Sequence, residues 1–103
     1  MPKVKVEILY FEGCPSHEAA TKILREVLAE REAEYEVELV EVNSDEEARR
    51  RRFPGSPTIR VDGRDLFPVA EQSAWALGCR MYVTPEGLKG YPTTEMIREA
   101  LAR

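Results

Sequence analysis

The chain of 103 residues has only two cysteines, one histidine, one asparagine and one glutamine. Two cysteines are too few for a disulfide scaffold, and in a reducing compartment a disulfide is more often catalytic than structural. No apolar run approaches the roughly 18–20 residues that span a bilayer, and residues 1–4 lead into a strand without a hydrophobic signal region. We therefore expect one cytoplasmic domain over residues 1–103.

The sequence also lacks a surplus of positive charge. Its net charge is −4, whereas general nucleic-acid binding usually requires a basic surplus. We therefore expect neither a nucleic-acid partner nor a membrane partner. A charged fraction of 33% with so few amide side chains is typical of thermophilic proteins.

A strand, a helix and a second strand are predicted in the first part of the chain. Residues 4–11 end in side chains that are apolar on both faces, which predicts a strand buried on both sides. Apolar positions recur at helical spacing from residue 16 to about 33, and residues 35–42 form the second predicted strand. Such a β-α-β unit should have a right-handed crossover.

The middle of the chain predicts a second helix and a hairpin. A capping-box signature from Ser44 to Glu47 starts a short helix that runs to about Arg52. Residues 58–61 and 64–67 flank an Asp-Gly pair, which is typical of a tight hairpin turn. Together with the first two strands, these segments predict a central sheet of about four strands.

The last part of the chain predicts one clear helix after a less regular segment. The helix covers residues 95–102 and is capped by Thr93 or Thr94. Before it, residues 69–77 predict a short helix closed by a glycine, and residues 79–83 predict a short strand. The following Thr-Pro-Glu-Gly, residues 84–87, is typical of a type I turn.

Cys14 lies where the first strand passes into the first helix. Free N–H groups and the dipole at a helix N-terminus stabilise an anion, and the pKa of a thiol falls at such a position. Pro15 suits the first helical position, so we expect Cys14 to be the N-cap with its sulfur facing free amides. His17 lies three residues after Cys14, where it would stabilise the thiolate or act as a base.

Two motifs resemble those of a known family. Residues 14–17, Cys-Pro-Ser-His, are similar to the Cys-Pro-x-Cys motif of glutaredoxins, with His17 in place of the second cysteine. Residues 55–58, Gly-Ser-Pro-Thr, are similar to the cis-proline loop that faces this motif. With the order β-α-β-α-β-β-α, the chain resembles the thioredoxin-like fold over residues 3–67 and 93–102.

The resemblance implies an α/β domain with a central mixed four-stranded sheet and helices on both faces. It also implies a thiol-disulfide oxidoreductase that needs no cofactor and acts on a thiol or disulfide, such as glutathione or a protein disulfide. Cys14 would be the nucleophile. The predicted substrate-binding residues are Pro15, Ser56, Pro57 and Thr58, with Pro57 as the cis residue and the backbone of Ser56 pairing with the substrate.

Because residues 14–17 lack a second cysteine, a mixed disulfide on Cys14 must be resolved by Cys79 or by an external thiol. Residues 78–82, Gly-Cys-Arg-Met-Tyr, loosely resemble a segment of small bacterial thioredoxin-like proteins with one cysteine in the active loop. If the extra segment 68–92 folds over the loop, Cys79 is a third catalytic residue. Otherwise it is a small buried hydrophobe.

Two other functions fit the same residues. Cys14 and His17, with or without Cys79, are suitable ligands for a soft metal ion such as Hg, Cu(I) or Zn, although two ligands make a weak site. The chain could also be a thioredoxin-like protein without turnover. No standard metal-ligand spacing occurs, so we predict no metal site.

Four consecutive arginines, residues 49–52, suggest a phosphate or nucleic-acid site. However, residues 45–47 are acidic and lie four positions before residues 49–51, which predicts three ion pairs along an exposed helix. Arginines at a helix C-terminus also suit its dipole. A second interpretation is that one arginine binds the carboxylate of glutathione, because the run precedes the proline loop.

Overall fold

The computed structural model describes residues 3–31, 33–69, 75 and 77–102. Among them, no helix is long and apolar enough to cross a membrane. The elements are, in chain order, β1 (Val4–Tyr10), α1 (Ser16–Ala29), β2 (Tyr35–Glu41), α2 (Asp45–Arg51), β3 (Thr58–Val61), β4 (Arg64–Asp65), β5 (Tyr82–Thr84), β6 (Gly87–Lys89) and α3 (Thr94–Ala102).

The central sheet has four strands in the order β2-β1-β3-β4. β1 is parallel to β2, with Ile8 opposite Leu39, and antiparallel to β3, with Ile8 opposite Ile59. β3 and β4 form a hairpin around Asp62 and Gly63, which have φ values of 50° and 84°. The predicted mixed four-stranded sheet and its Asp-Gly hairpin are confirmed.

Helices cover both faces of this sheet because β1 alternates between two apolar faces. Ile8 points into a core that it shares with Leu24 of α1 and Ile97 of α3. The next residue, Leu9, faces the other way and packs with Phe53 and with Ala48 of α2. The α/β layering predicted from the sequence is therefore present.

Helix α1 ends at Ala29, about four residues before the predicted end. The buried positions of this helix stop at Leu28, and the N–H of Glu30 bonds back to the carbonyl of Val27 at 3.1 Å. The apolar residues that follow, Ala29 and Ala33, are exposed and do not hold another turn against the sheet. Helical stability in proteins comes mostly from such packing.

The N-terminus of α2 has the predicted capping arrangement. The hydroxyl of Ser44 accepts the N–H of Glu47 at 3.1 Å, and the Glu47 carboxylate accepts the N–H of Asn43 at 2.9 Å. That hydrogen bond, together with the one from Arg51, lowers the pKa of Glu47.

Of the three ion pairs predicted along α2, the described residues show only Glu47 with Arg51, at 3.0 Å. The prediction was therefore wrong for the other two pairs. One reason is that Asp45 Oδ1 instead accepts the N–H of Leu77 at 3.0 Å, which ties the extra segment to the start of α2.

Within the extra segment, β5 and β6 form a two-stranded sheet around the predicted turn at Pro85 and Glu86. Strand β6 was not predicted, because three residues that begin with glycine carry no recognisable strand pattern. The helix predicted over residues 69–77 falls largely outside the described residues. The last helix is capped as predicted, since Thr93 Oγ1 accepts the N–H of Met96 at 3.1 Å.

Ile59 and Val83 offer a matched test of which apolar residues form the core. Ile59 is fully buried and Val83 is 80% exposed. We expect Ile59→Ala to lower the free energy of unfolding by about 2–5 kcal/mol and Val83→Ala to leave it nearly unchanged. Urea denaturation followed by circular dichroism measures both. Equal effects would contradict the described core.

Candidate functional site

Cys14 lies between the end of β1 and the start of α1. Its N–H closes a turn by donating to the carbonyl of Phe11 at 3.0 Å. Because the Cys14 amide belongs to this turn, the helix begins at Ser16, and Pro15 occupies the N-cap with φ −76° and ψ −16°. The expectation that Cys14 itself is the N-cap was therefore wrong by one residue.

The side chain of Cys14 is 2% exposed. Its sulfur donates a hydrogen bond to the carbonyl oxygen of Ser56 at 3.6 Å. Ser56 and Thr58 are fully buried, and the Ser56–Pro57 peptide bond is cis. The loop before β3 therefore lies directly against the thiol, as the two motifs together predict.

A third segment completes the site from the other side of this loop. Ser56 donates its N–H to the carbonyl of Gly78 at 2.8 Å and accepts the N–H of Arg80 at 2.9 Å. This parallel bridge places Cys79 beside Ser56. The Ser56 carbonyl thus accepts from both Arg80 and Cys14, and the backbone groups predicted to pair with a substrate are bonded within the chain.

Cys79 is exposed, so the interpretation of this residue as a small buried hydrophobe was wrong. Desolvation of its sulfur and the nearby Cys14 side chain raise the pKa of Cys79. Cys14 and Cys79 both lie beside Ser56, although they are far apart in sequence. The extra segment does reach the loop that carries Cys14.

Arg80 anchors the segment that carries Cys79. Its guanidinium is 6% exposed and pairs with both carboxylate oxygens of Asp65, at 3.1 and 3.3 Å. It also donates to the carbonyl of Phe67 and lies 4.6 Å from the centre of the Tyr82 ring. The Tyr82 hydroxyl donates to the carbonyl of Pro57 at 2.5 Å, and burial raises the pKa of this phenol.

Gly55 permits the close approach of this segment. Its φ is +130°, and a Cβ at this position would lie 2.9 Å from the Arg80 Cβ and 3.0 Å from the Arg80 Cα. Both the backbone conformation and the contact with Arg80 therefore require glycine. Arg80, Asp65 and Tyr82 were not predicted as site residues. The available signal was a lone arginine within an otherwise apolar, strand-like stretch.

His17 lies near Cys14 but is bonded to its backbone. The ring Nδ1 donates to the Cys14 carbonyl at 2.7 Å, and the ring stacks on Tyr10 with centroids 4.3 Å apart. In the described part of the chain, the hydrogen-bond partner of the Cys14 sulfur is the carbonyl of Ser56 and not the imidazole. A role for His17 in stabilising a thiolate stays a prediction.

The four predicted substrate-binding residues occupy different environments. Pro15 is exposed, whereas Ser56, Pro57 and Thr58 are buried beneath neighbouring segments. The Thr58 hydroxyl donates to the carbonyl of Gly55 at 2.5 Å and accepts from Arg80 at 3.5 Å. In this arrangement, the side chain of Thr58 supports the loop that a substrate was predicted to touch.

A separate cleft of about 380 Å³ is lined by Arg50, Arg51 and Arg52 at the end of α2, together with Arg60, Asp65 and Trp75. Arg60 donates to the carbonyls at the end of α2, and burial lowers its pKa. Neither cysteine lines this cleft, so binding of a glutathione carboxylate there stays a prediction. Across the described ranges, no group of three or more histidine, cysteine or acidic side chains is arranged to hold a metal ion.

Comparison of the chain with protein-family models, with curated proteins and with solved structures finds no match.

Ser56→Ala tests an unusual feature of the site. The Ser56 hydroxyl is buried and has no hydrogen-bond partner among the described residues. Burying such a group costs about 1–3 kcal/mol, so we expect its removal to raise the free energy of unfolding by about 1 kcal/mol. The control is Ser44→Ala, which removes a helix cap and should lower that free energy by about 1 kcal/mol. A loss of stability in Ser56→Ala would reveal a partner for the hydroxyl.

Asp65→Asn tests the anchor of Arg80. The change leaves a buried guanidinium without its counter-charge, and we expect a loss of about 2–3 kcal/mol in the free energy of unfolding. Glu38→Gln is the control, because the Glu38–Lys5 pair is about half exposed on both sides and should contribute little. Urea denaturation measures the free energy of unfolding of both variants. Equal effects would show that the buried pair does not hold the segment.

Proposed function

We propose that this protein is a thiol-disulfide oxidoreductase in which Cys14 and Cys79 alternate between two thiols and one internal disulfide. The observation that carries the proposal is that both cysteines lie beside Ser56, Cys14 through the hydrogen bond from its sulfur to the Ser56 carbonyl and Cys79 through a parallel backbone bridge. Two cysteines brought to the same residue can form the internal disulfide through which thiol-disulfide exchange passes.

The order of elements supports a thioredoxin-like version of the α/β fold. The sheet and its helices follow the order β-α-β-α-β-β-α once the β5–β6 hairpin is set aside as an insertion. Cys14 follows β1 and the Ser56–Pro57 loop precedes β3, so the two motifs named in the sequence meet in space. This agrees with the family resemblance at both motifs.

The chemistry of the pair follows from its position. Oxidation removes two electrons and two protons from Cys14 and Cys79 and joins their sulfurs, while a disulfide substrate accepts the electrons and leaves as two thiols. Cys79 thereby takes the place of the cysteine that residues 14–17 lack.

The test is oxidation of the reduced protein with glutathione disulfide, followed by intact mass and alkylation with N-ethylmaleimide. We expect the wild-type protein to lose two hydrogens and to become inert to the alkylating reagent. The variants Cys14→Ser and Cys79→Ser cannot form the internal bond and should each keep a single thiol or its glutathione adduct. Wild type that keeps two free thiols would overturn the proposal.

The internal disulfide should also stabilise the fold. It would close a roughly 65-residue loop, and the chain-entropy treatment of such a loop gives about 4 kcal/mol. We expect the urea midpoint of the oxidised protein to rise accordingly. Cys14→Ser treated with the same oxidant is the control and should not shift. A lower midpoint for the oxidised wild type would indicate that bond formation distorts the site.

A further inference from the structure

We infer that Cys79, and not Cys14, is the sulfur that exchanges with thiols outside the protein, and that Cys14 is the buried sulfur released by the exchange. This inference rests on the proposed internal disulfide and reverses the roles that the family resemblance implies for the two cysteines. It concerns a specific step, the reduction of the Cys14–Cys79 bond by an external thiolate.

Access to the two sulfurs differs strongly. Cys14 is 2% exposed and lies against the Ser56 carbonyl, whereas Cys79 is exposed. A thiolate must approach the sulfur that it attacks, so exchange rates depend on the access to each sulfur. An external thiolate can reach Cys79 from solvent while Cys14 stays covered.

The part of the extra segment that carries Cys79, residues 78–80, is held in place on both sides of this cysteine. Gly78 and Arg80 are bonded to Ser56 through the backbone, and the buried Arg80 side chain pairs with Asp65. Exposing Cys14 to an external thiolate would require these contacts to break. Attack on Cys79 requires none of them to change.

Complete reduction of the Cys14–Cys79 bond consumes two molecules of an external thiol. The first thiolate bonds to the Cys79 sulfur, the Cys14–Cys79 bond breaks, and its electron pair leaves on Cys14. A second thiolate then attacks the external sulfur of the mixed disulfide, which releases an external disulfide and the Cys79 thiolate. The two protons of the external thiols end on Cys14 and Cys79.

This route also limits how a substrate docks. The N–H of Ser56 bonds to Gly78 and its carbonyl to Arg80, so a substrate peptide cannot pair with this loop while the segment is in place. A substrate therefore meets the protein at the outer side of the segment, where Met81 is 56% exposed two residues after Cys79. The expected substrates are thiols that reach Cys79 without pairing as a β-strand with the backbone of Ser56.

The experiment traps the mixed disulfide on oxidised wild-type protein. The protein is mixed with excess glutathione, quenched with acid, alkylated with N-ethylmaleimide and mapped by peptide mass spectrometry. We expect glutathione on Cys79 and the alkyl group on Cys14, in at least about tenfold excess over the reverse pattern. Glutathione mainly on Cys14, or equally on both, would overturn the inference.

Single-cysteine variants decide the question if the mixed disulfide is too short-lived to trap. Cys14→Ser and Cys79→Ser are loaded with glutathione in urea and refolded, and release by dithiothreitol is followed by intact mass. We expect release from Cys79 to be at least about tenfold faster in the folded state, with equal rates in urea as the control. Equal or reversed rates in the folded state would overturn the inference.

The inference and the proposed function fail in different ways. If glutathione disulfide never produces the internal Cys14–Cys79 bond, the proposed function itself is wrong. If that bond forms and is reduced, but the adduct maps to Cys14, only the assignment of the exchanging sulfur is wrong.

Discussion

The guanidinium of Arg80 is buried among Asp65, Phe67 and Tyr82, and the arrangement of the candidate site depends on it. A buried cation is stable only when it is paired and hydrogen-bonded, and here it joins the β3–β4 hairpin to the extra segment. The Arg80 backbone simultaneously bonds to Ser56. One side chain thus holds the extra segment against the loop that faces Cys14, and it sets the position of Cys79.

This anchoring leaves the two thiols with different exposure to solvent. Cys14 is buried against the Ser56 carbonyl, whereas Cys79 is exposed to solvent. The surroundings of Cys79 also raise the pKa of its thiol. In such a pair the external thiolate attacks the accessible sulfur of Cys79 and the buried sulfur of Cys14 is released. Attack and release therefore occur at different atoms.

Local patterns predicted much of the fold. The cap of α2, the Asp-Gly hairpin and the two-sided burial of β1 are short-range features, and each is present in the structure. Some predictions failed because a segment distant in sequence changed the surroundings of the residue. Asp45 bonds to Leu77 instead of an arginine, and Cys79 is exposed instead of buried. Neither the Asp45–Leu77 hydrogen bond nor the exposure of Cys79 leaves a periodic signal in the sequence.

The sequence by itself determined that a cysteine follows the first strand and that a Ser-Pro loop precedes the third, since strand and helix periodicity place both. Only the tertiary structure decided that Cys79 completes the site. Its approach to Cys14 depends on the Arg80–Asp65 pair and on Gly55, which admits the Arg80 backbone. Such contacts join segments far apart in the chain, and their energy comes from burial and pairing that exist only once the chain has folded.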